Sequence, residues 1–353
     1  MDLTRFEGAW TALVTPFTAE DEIHWPELER LLRFQTAQGI TGLVPTGTTG
    51  ESPTLDWDEH YAVIEATVRV SRGDCFVLAG TGSNSTREAL QGSRHAAEAG
   101  AQAVLLVDCY YNGPSSLELR REYHGVIAEA CPDTLIVPYI IPGRSGTALA
   151  VEDLAMLAHE HPNVRAVKEA TGDLQRMART RALLGDDFGI LSGDDNLTPA
   201  MMADRAIRAN GVVSVVANVA PAAVEAMARA FAAGEAVEGQ RLAAALEPLF
   251  NIVTVAVDDT RSLRGQTLTV RDKFRNPVGI KTLMRGLGMV SGGCRRPLGR
   301  MTLRGVEVVR SAARAVWKAN PGILRPIEAV FDVSLAERIE DDALWASLAC
   351  AEA

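Results

Sequence analysis

The 353-residue sequence has few cysteines and no excess of basic charge. Its five cysteines are widely scattered and none forms a CxxC pair, so the spacing indicates neither a disulfide framework nor a zinc site. The formal net charge is −10 at pH 7, which argues against nucleic acid or an anionic membrane surface as a partner. An acidic surface still leaves room for a small anionic substrate, which needs only one arginine or a few backbone amides.

Long apolar runs are also missing. No stretch approaches the roughly 20 consecutive apolar residues of a membrane-spanning helix. The segment from Met1 to Trp10 lacks the basic and then apolar pattern of a secretory signal. Hydrophobic residues make up 47% of the chain and charged residues 23%, as is typical of a globular enzyme. These features predict a reduced, cytoplasmic, soluble protein that can bury a large core.

Short apolar segments alternate with amphipathic ones at a steady period from Trp10 to Ala232. Eight strands, each followed by a helix, predict an α/β fold of the (β/α)8 TIM-barrel type. The predicted strands cover residues 10–15, 42–45, 76–79, 103–107, 135–140, 164–168, 189–191 and 211–215. The predicted helices cover residues 26–38, 57–70, 86–99, 117–129, 151–159, 174–184, 199–209 and 221–232.

We therefore predict a catalytic barrel over residues 1–235 and a C-terminal helical region over residues 236–353. Residues 258–276 carry several charges without a clean period and are predicted to be an irregular, exposed insertion. The tail after residue 324 is a further addition, in which Trp345 and Leu348 are candidate packing residues. Helices are predicted from residue 237 up to the insertion, and then over residues 278–287, 303–318 and 327–353.

Lys168 ends one of the short apolar strands, after Val164, Ala166 and Val167. A buried ammonium is costly unless it is paired or loses its proton. Lys168 is therefore a candidate amine nucleophile, because desolvation lowers the pKa of an amine towards neutrality. The alternative is a lysine whose ammonium reaches water from the strand end, and this stretch alone favours that alternative.

Other chemically useful residues also follow strand ends, where the catalytic groups of such barrels lie. Thr48 and Thr49 stand in a Gly-Thr-Thr-Gly turn after the second strand, which can bind a carboxylate or serve simply as a tight turn. Tyr111 and Tyr139, at the fourth and fifth strands, can relay protons or pack with their hydroxyls in water. Arg144, in a Pro/Gly-rich loop, can clamp a carboxylate or remain a solvated charge.

All of these side chains and Lys168 fall on one rim of one barrel. A buried amine, hydroxyl relays and a carboxylate clamp describe Schiff-base chemistry on a small 2-oxo acid. After the seventh strand, Asp194 and Asp195 have no histidine or further acid spaced to complete a ligand set, so turn and helix-start roles are predicted there and no metal.

The residues of this rim resemble a known superfamily, the pyruvate-dependent class I aldolases that include the dihydrodipicolinate synthases and the N-acetylneuraminate lyases. The likeness is strongest to the synthases and runs from about Gly8 to Leu324. Each motif is weak alone, but the ordered set is specific. The motifs are Gly47-Thr48-Thr49-Gly50-Glu51-Ser52, Tyr110-Tyr111-Asn112, Tyr139 with Arg144-Ser145-Gly146, Lys168-Glu169-Ala170-Thr171-Gly172, Ser192-Gly193-Asp194-Asp195, Gly211-Val212-Val213-Ser214 and Asn276-Pro277-Val278-Gly279-Ile280-Lys281.

The resemblance implies a lyase that condenses pyruvate with aspartate 4-semialdehyde to 4-hydroxy-tetrahydrodipicolinate, in lysine and diaminopimelate biosynthesis. Lys168 would form the Schiff base, and no other cofactor is implied. Tyr139, Thr48 and Tyr111 would form the catalytic hydroxyl relay, with Tyr111 supplied across a subunit interface. The resemblance also suggests a homotetramer, assembled as a dimer of dimers.

Substrate and effector positions are carried over in the same way. Thr49 and the backbone at Val213 would hold the pyruvate carboxylate, and Arg144 would receive the carboxylate of the second substrate. Some members are inhibited by lysine at a dimer interface. The positions that resemble that allosteric site are Ser52, Trp57, His60, Asn84, Glu88 and Tyr110, with Pro53 an uncertain fit.

Three departures from the family pattern bear on the second substrate and on assembly. Ile140 stands where asparagine is usual, and Cys109 stands where proline is usual, so either could reshape the second-substrate pocket. The insertion at 258–276 and the tail after 324 have no counterpart in a compact member and could alter the subunit interface. Two alternatives stay open: an aldolase or lyase of the superfamily acting on a different aldehyde, and a non-catalytic paralogue that binds a 2-oxo acid.

Overall fold

Eight parallel strands form a closed barrel in the computed structural model, which describes residues 6–71 and 73–350. The barrel closes where the first strand pairs with the eighth, from Gly8 opposite Gly211 to Thr11 opposite Ser214. The strands are short and mostly buried on both faces, as expected for parallel strands covered by helices. The (β/α)8 prediction is confirmed. The strands are β1 (Gly8–Ala12), β2 (Gly42–Val44), β3 (Phe76–Gly80), β4 (Ala103–Val107), β5 (Leu135–Ile140), β6 (Ala166–Glu169), β7 (Gly189–Ser192) and β8 (Gly211–Ser214).

The main barrel helices lie close to their predicted bounds. They cover Trp25–Ala37, Trp57–Ser71, Thr86–Glu98, Val151–Glu160, Leu174–Leu184 and Pro221–Ala232, while the helix Thr198–Ala203 matches only its predicted start. Two differ from prediction. The segment predicted as a helix over 117–129 is made of Ser116–Glu118, a π-helical Leu119–His124 and Gly125–Ala130. The helix predicted to reach residue 209 ends at Ala203, because the Asp204 carboxylate accepts a hydrogen bond from the Ala206 amide and starts a turn.

The insertion over 258–276 is not irregular, and that prediction is wrong. It lies in an antiparallel hairpin of β9 (Thr254–Leu263) and β10 (Gln266–Arg275), in register throughout. Arg264 and Gly265 form its two-residue turn with φ values of 51° and 80°, the positive pair that a type I′ turn requires. Residues 260–269 are exposed on both faces, so no alternation of apolar and polar residues marks the outer half of the hairpin in the sequence. Near the base, one face is partly buried through Val255, Val257 and Phe274, which alternate with exposed residues, and the prediction of an irregular segment overlooked this short signal.

The C-terminal region continues with the helices Ala236–Phe250, Val278–Leu287 and Leu303–Ala319. The single helix predicted over 327–353 is instead three short helices, Pro326–Phe331, Leu335–Glu340 and Asp342–Leu348; residues 351–353 lie outside the described part. Trp345 and Leu348 are buried as predicted. In the described ranges, no helix has the length and apolar character needed to cross a membrane.

One buried ion pair ties the C-terminal region to the turn after β2. The Lys281 ammonium donates to the Glu51 carboxylate and to the Gly293 carbonyl, 2.9 Å away. The other Glu51 oxygen accepts from the Arg295 amide at 2.8 Å. Both members of this ion pair make further hydrogen bonds. Their relative position is therefore fixed, because moving either partner would leave a buried charge uncompensated. Lys281 and Arg295, which are distant in sequence, therefore stabilise the Gly-Thr-Thr-Gly turn through Glu51.

Candidate active site

Lys168 projects into the barrel from β6 and is only 6% exposed. The pairing of β5 with β6 sets Tyr139 directly opposite Lys168, so both side chains point to the same face. The Lys168 Nζ lies 3.9 Å from the centre of the Tyr139 ring. The next residues, Ile140 and Glu169, face the other way. The lysine thus ends a buried strand against an aromatic face, as the nucleophile hypothesis requires.

The environment of Lys168 favours its neutral form. Burial lowers the pKa of the amine to about 7, with Asp195 opposing the shift and Arg144 adding to it. Lysine in water titrates near 10.4, so the unprotonated fraction near neutral pH is raised by orders of magnitude. An amine must have its lone pair free to attack a carbonyl carbon. The site therefore supplies a usable nucleophile at neutral pH.

Gly193, just after β7, packs closely against the aliphatic part of the Lys168 side chain. Gly193 has no side chain, and a Cβ there would lie 2.8 Å from the Ala170 Cβ and 3.1 Å from the Lys168 Cε. Any larger residue would push the lysine out of place. Two residues on, the Asp195 carboxylate accepts hydrogen bonds from the amides of Val215 and Val216, at 3.0 and 3.3 Å. Burial raises the pKa of Asp195 to about 6. Asp195 thus anchors the end of β8 and also acts electrostatically on Lys168.

A pH prediction follows from these charges. Lys168 is an ammonium below about pH 7 and a free amine above it, so the initial rate of imine formation should rise through that range. Asp195→Asn removes the carboxylate that raises the pKa of Lys168, so the midpoint of this rise should move to lower pH. Borohydride trapping of pyruvate at short times across a pH series measures it. Asp194→Asn is the neighbouring control, and a midpoint that moved upward in Asp195→Asn would contradict this account.

Hydroxyl groups surround the amine. The Thr48 hydroxyl hydrogen-bonds the Tyr139 phenol, whose pKa burial raises to about 12. Tyr139 therefore keeps its proton at neutral pH and can donate it. The Thr49 hydroxyl accepts a hydrogen bond of 2.8 Å from the Asn276 side chain, and the Asn276 carbonyl accepts one of 3.0 Å from the Arg144 guanidinium. Asn276 thus links the candidate carboxylate holder Thr49 to the candidate clamp Arg144.

One cavity of about 560 Å³ brings most of the predicted site together. Six of the seven predicted catalytic and substrate-binding residues line it: Thr48, Thr49, Tyr139, Arg144, Lys168 and Val213. The seventh, Tyr111, does not reach the cavity. It lies in the loop after β4 with a φ of 74° and is 94% exposed. An exposed tyrosine held in a strained backbone conformation is unusual for a residue with only a packing role.

The two unusual residues of the sequence do not line this cavity. Ile140 is fully buried and faces outward from the barrel beside Glu169, and Cys109 is buried with its thiol 3.7 Å from the Ser83 carbonyl. Neither is among the described residues that line this cavity or a smaller one of about 200 Å³ next to it. Ile140 and Cys109 therefore do not contact either cavity directly, and the expectation that they reshape the second-substrate pocket stays a prediction.

The predicted allosteric positions divide between two places. Ser52, Pro53 and Tyr110 line the smaller cavity, which shares Thr48, Tyr139 and Arg144 with the larger one. Trp57 and His60 lie on the helix Trp57–Ser71, with ring centres 4.8 Å apart. Burial, and then His95, lower the pKa of His60 to about 4, so its ring is neutral at neutral pH. Asn84 lies just before the helix Thr86–Glu98, and Glu88 lies in its first turn. The Glu88 carboxylate accepts a 2.6 Å hydrogen bond from the Ser83 hydroxyl.

Sequence reasoning missed four residues that line the cavity. Asp195 was assigned only a structural role, and Asn276 was noticed only as part of a motif. Lys273 and Arg275 were placed in an irregular insertion, yet the structure brings them to the mouth of the cavity. Among residues 6–71 and 73–350, no group of three or more His, Cys, Asp or Glu side chains is placed to hold a metal ion.

Comparison with known proteins gives a consistent result. The model of the dihydrodipicolinate synthetase family matches residues 5–316. A 4-hydroxy-tetrahydrodipicolinate synthase from Geotalea daltonii is 41% identical over 298 residues, which are 84% of this chain and 94% of that protein.

Solved structures agree in fold over nearly the whole chain. The 4-hydroxy-tetrahydrodipicolinate synthase of Methylacidiphilum fumariolicum SolV superposes with a TM-score of 0.79 at 33% identity, covering 92% of this chain and 99% of that one. The chloride-inhibited dihydrodipicolinate synthase of Acinetobacter baumannii, complexed with pyruvate, gives a TM-score of 0.79 at 32% identity, covering 90% and 99%.

Proposed function

The chain belongs to the dihydrodipicolinate synthetase family, and we propose that it is a 4-hydroxy-tetrahydrodipicolinate synthase, a lyase that condenses pyruvate with aspartate 4-semialdehyde in lysine and diaminopimelate biosynthesis. The observation that carries the proposal is Lys168, a buried amine with a pKa lowered to about 7 that stands 3.9 Å from the Tyr139 ring in a cavity lined by hydroxyls. The residue roles below are part of the proposal.

The neutral Lys168 amine attacks C2 of pyruvate, and the former carbonyl oxygen leaves as water after taking up protons relayed by Tyr139 and Thr48. The imine then loses a proton from C3 and becomes an enamine. The enamine carbon attacks the aldehyde carbon of the second substrate, whose oxygen takes up a proton. Finally, the amine of that substrate attacks the imine carbon, closes the ring and releases Lys168 as a free amine. No metal or organic cofactor is needed for these steps.

The carboxylates of the two substrates have separate holders in this scheme. Thr49 and the backbone at Val213 bind the carboxylate of pyruvate, close to the amine. Arg144, on the loop after β5, binds the carboxylate of the aldehyde with its planar guanidinium. Asn276 supports both, because it donates to Thr49 and accepts from Arg144.

We also propose that the active enzyme is a homo-oligomer, a dimer of dimers, in which each subunit supplies Tyr111 to its neighbour. The 94% exposure and strained φ of this tyrosine support the idea, since a partner would cover the ring and stabilise its conformation. Full activity in a protein that sediments only as a monomer at assay concentration would exclude it.

A feedback site for lysine at Ser52, Trp57, His60, Asn84, Glu88 and Tyr110 remains a hypothesis. The buried ring nitrogens of His60 and the amide oxygen of Asn84 have no hydrogen-bond partner, and Glu88 offers a carboxylate for an amine. Titrating lysine into the assay with no loss of rate would exclude regulation through these residues.

Borohydride reduction in the presence of pyruvate, followed by peptide mass analysis, tests the function directly. A pyruvyl adduct on Lys168, together with turnover of aspartate 4-semialdehyde but not of sugar aldehydes, is the expected result. An adduct without turnover of aspartate 4-semialdehyde would select another aldolase or lyase, or a paralogue that only binds 2-oxo acids. The absence of an adduct on Lys168 would exclude the Schiff-base mechanism altogether.

A further inference from the structure

The base of the β9–β10 hairpin reaches the active-site cavity. Lys273 and Arg275 alternate along β10 and therefore lie on the same face of the strand. Both line the cavity of about 560 Å³, as does Arg144 from the loop after β5. We call these three residues, Arg144, Lys273 and Arg275, the cationic mouth. The hairpin thus adds two positive charges to the lining of the active-site cavity.

Two hydrogen bonds hold the hairpin base against the loop after β5. The Arg275 guanidinium donates to the Gly143 carbonyl at 3.0 Å, and the Arg144 guanidinium donates to the Asn276 carbonyl at 3.0 Å. Desolvation in the cavity lowers the pKa of Arg144, and the nearby Arg275 lowers it further. Like charges held this close repel each other unless an anion lies between them. A bound anion would therefore stabilise the two guanidinium groups together.

Two of the other three cations of the hairpin are neutralised, in contrast to the mouth, and the third, Arg264, lies in the turn at the far end. Arg261 pairs with Asp272 at 2.7 Å and Arg271 pairs with Asp258 at 3.1 Å. Within residues 6–71 and 73–350, no ion pair is formed by a member of the cationic mouth. Three unpaired cations converge on one cavity of a protein whose net charge is −10. A local positive field of this kind raises the concentration and the association rate of an anionic substrate.

We propose that Lys273 and Arg275 extend the Arg144 site into an anion-binding subsite at the mouth of the active site, in which the three cations share the carboxylate of the aldehyde substrate and select aldehydes that carry a negative charge. The subsite rests on the proposed function, since it needs a second, anionic substrate. Pyruvate binds deeper, beside Lys168 and Thr49, so its binding is independent of the hairpin.

The test compares two double variants of the purified, full-length enzyme with aspartate 4-semialdehyde as the variable substrate. Lys273→Met with Arg275→Gln removes the two charges of the subsite. Arg261→Gln with Arg271→Gln removes two charges from the distal part of the same hairpin and is the matched control. All four side chains are largely exposed, so neither pair disturbs the core.

In the subsite variant we expect kcat/KM for the aldehyde to fall about tenfold, mainly through KM, the loss typical of partly exposed charge-assisted contacts. The KM for pyruvate and the extent of borohydride trapping should stay within about twofold of wild type. The decrease of kcat/KM with added salt should also become shallower, because fewer charges attract the substrate. The control variant should match wild type in all of these measurements.

The measurements distinguish a failure of the subsite from a failure of the proposed function. Unchanged aldehyde KM in the subsite variant, with trapping intact, would overturn the subsite and leave the proposed function standing. An equal loss in both double variants would show a diffuse effect of charge and would also overturn it. If wild type neither traps pyruvate nor turns over the aldehyde, the proposed function fails and the subsite fails with it.

Discussion

Replacing Lys168 with methionine is expected to lower kcat on the order of 10⁴-fold or more, because the substitution removes the buried amine that forms the proposed covalent intermediate. Lys168→Arg should fail equally, since a guanidinium keeps its proton and cannot attack a carbonyl. Pyruvate trapping by borohydride should disappear in both variants. Methionine fills a similar volume without a charge, so it removes the cost of burying an amine in this 6%-exposed position.

The thermal stability of Lys168→Met separates a chemical role of Lys168 from a structural one. Lys168→Met should unfold at the same temperature as wild type or higher, while its activity is lost. Lys318→Met, on the exposed face of the helix Leu303–Ala319, is the control and should leave activity and stability unchanged. Substantial pyruvate-dependent turnover in Lys168→Met would contradict the Schiff-base mechanism.

Tyr139→Phe is expected to lower kcat by about 10²- to 10³-fold, the range typical of losing a positioned proton donor. The aromatic ring stays in place beside the Lys168 side chain, so only the hydroxyl is lost. Its pKa is raised to about 12 by burial, so the phenol acts as a proton donor and relay rather than as a standing base. Single-turnover imine formation, followed by trapping, should slow along with kcat.

The partner of Tyr139 in this relay supplies an internal check. Thr48→Val removes the hydroxyl that hydrogen-bonds Tyr139 and should slow the same step, but less, because water can replace a relay member more easily than the donor itself. Tyr61→Phe is the control, because it also removes a tyrosine hydroxyl. The Tyr61 ring stacks on His95, away from the cavity. Unchanged imine formation in Tyr139→Phe would exclude the proposed relay.

The sequence by itself determined the barrel and most of the rim. The alternation of apolar strands and amphipathic helices is a local, repeated signal, and parallel strands deliver their carboxyl ends to one face. Counting eight such units therefore predicts that Lys168, Tyr139, Thr48, Thr49 and Arg144 lie together, and all five line one cavity. Resemblance to a family supplied the roles that position alone does not give.

Only the tertiary structure decided which further residues line the cavity. Ile140 stands next to Tyr139 in sequence, but successive strand residues face opposite sides, so its side chain points away from the cavity. Asn276 and Arg275 lie 132 residues from their partners Arg144 and Gly143, and Asn276 lies 227 residues from Thr49. Contacts at such separations leave no periodic trace. The outer half of the hairpin that carries Lys273 and Arg275 is solvated on both faces. The hydrophobic pattern that reveals a strand arises only where one face is buried, and here that is limited to the base, at Val255, Val257 and Phe274.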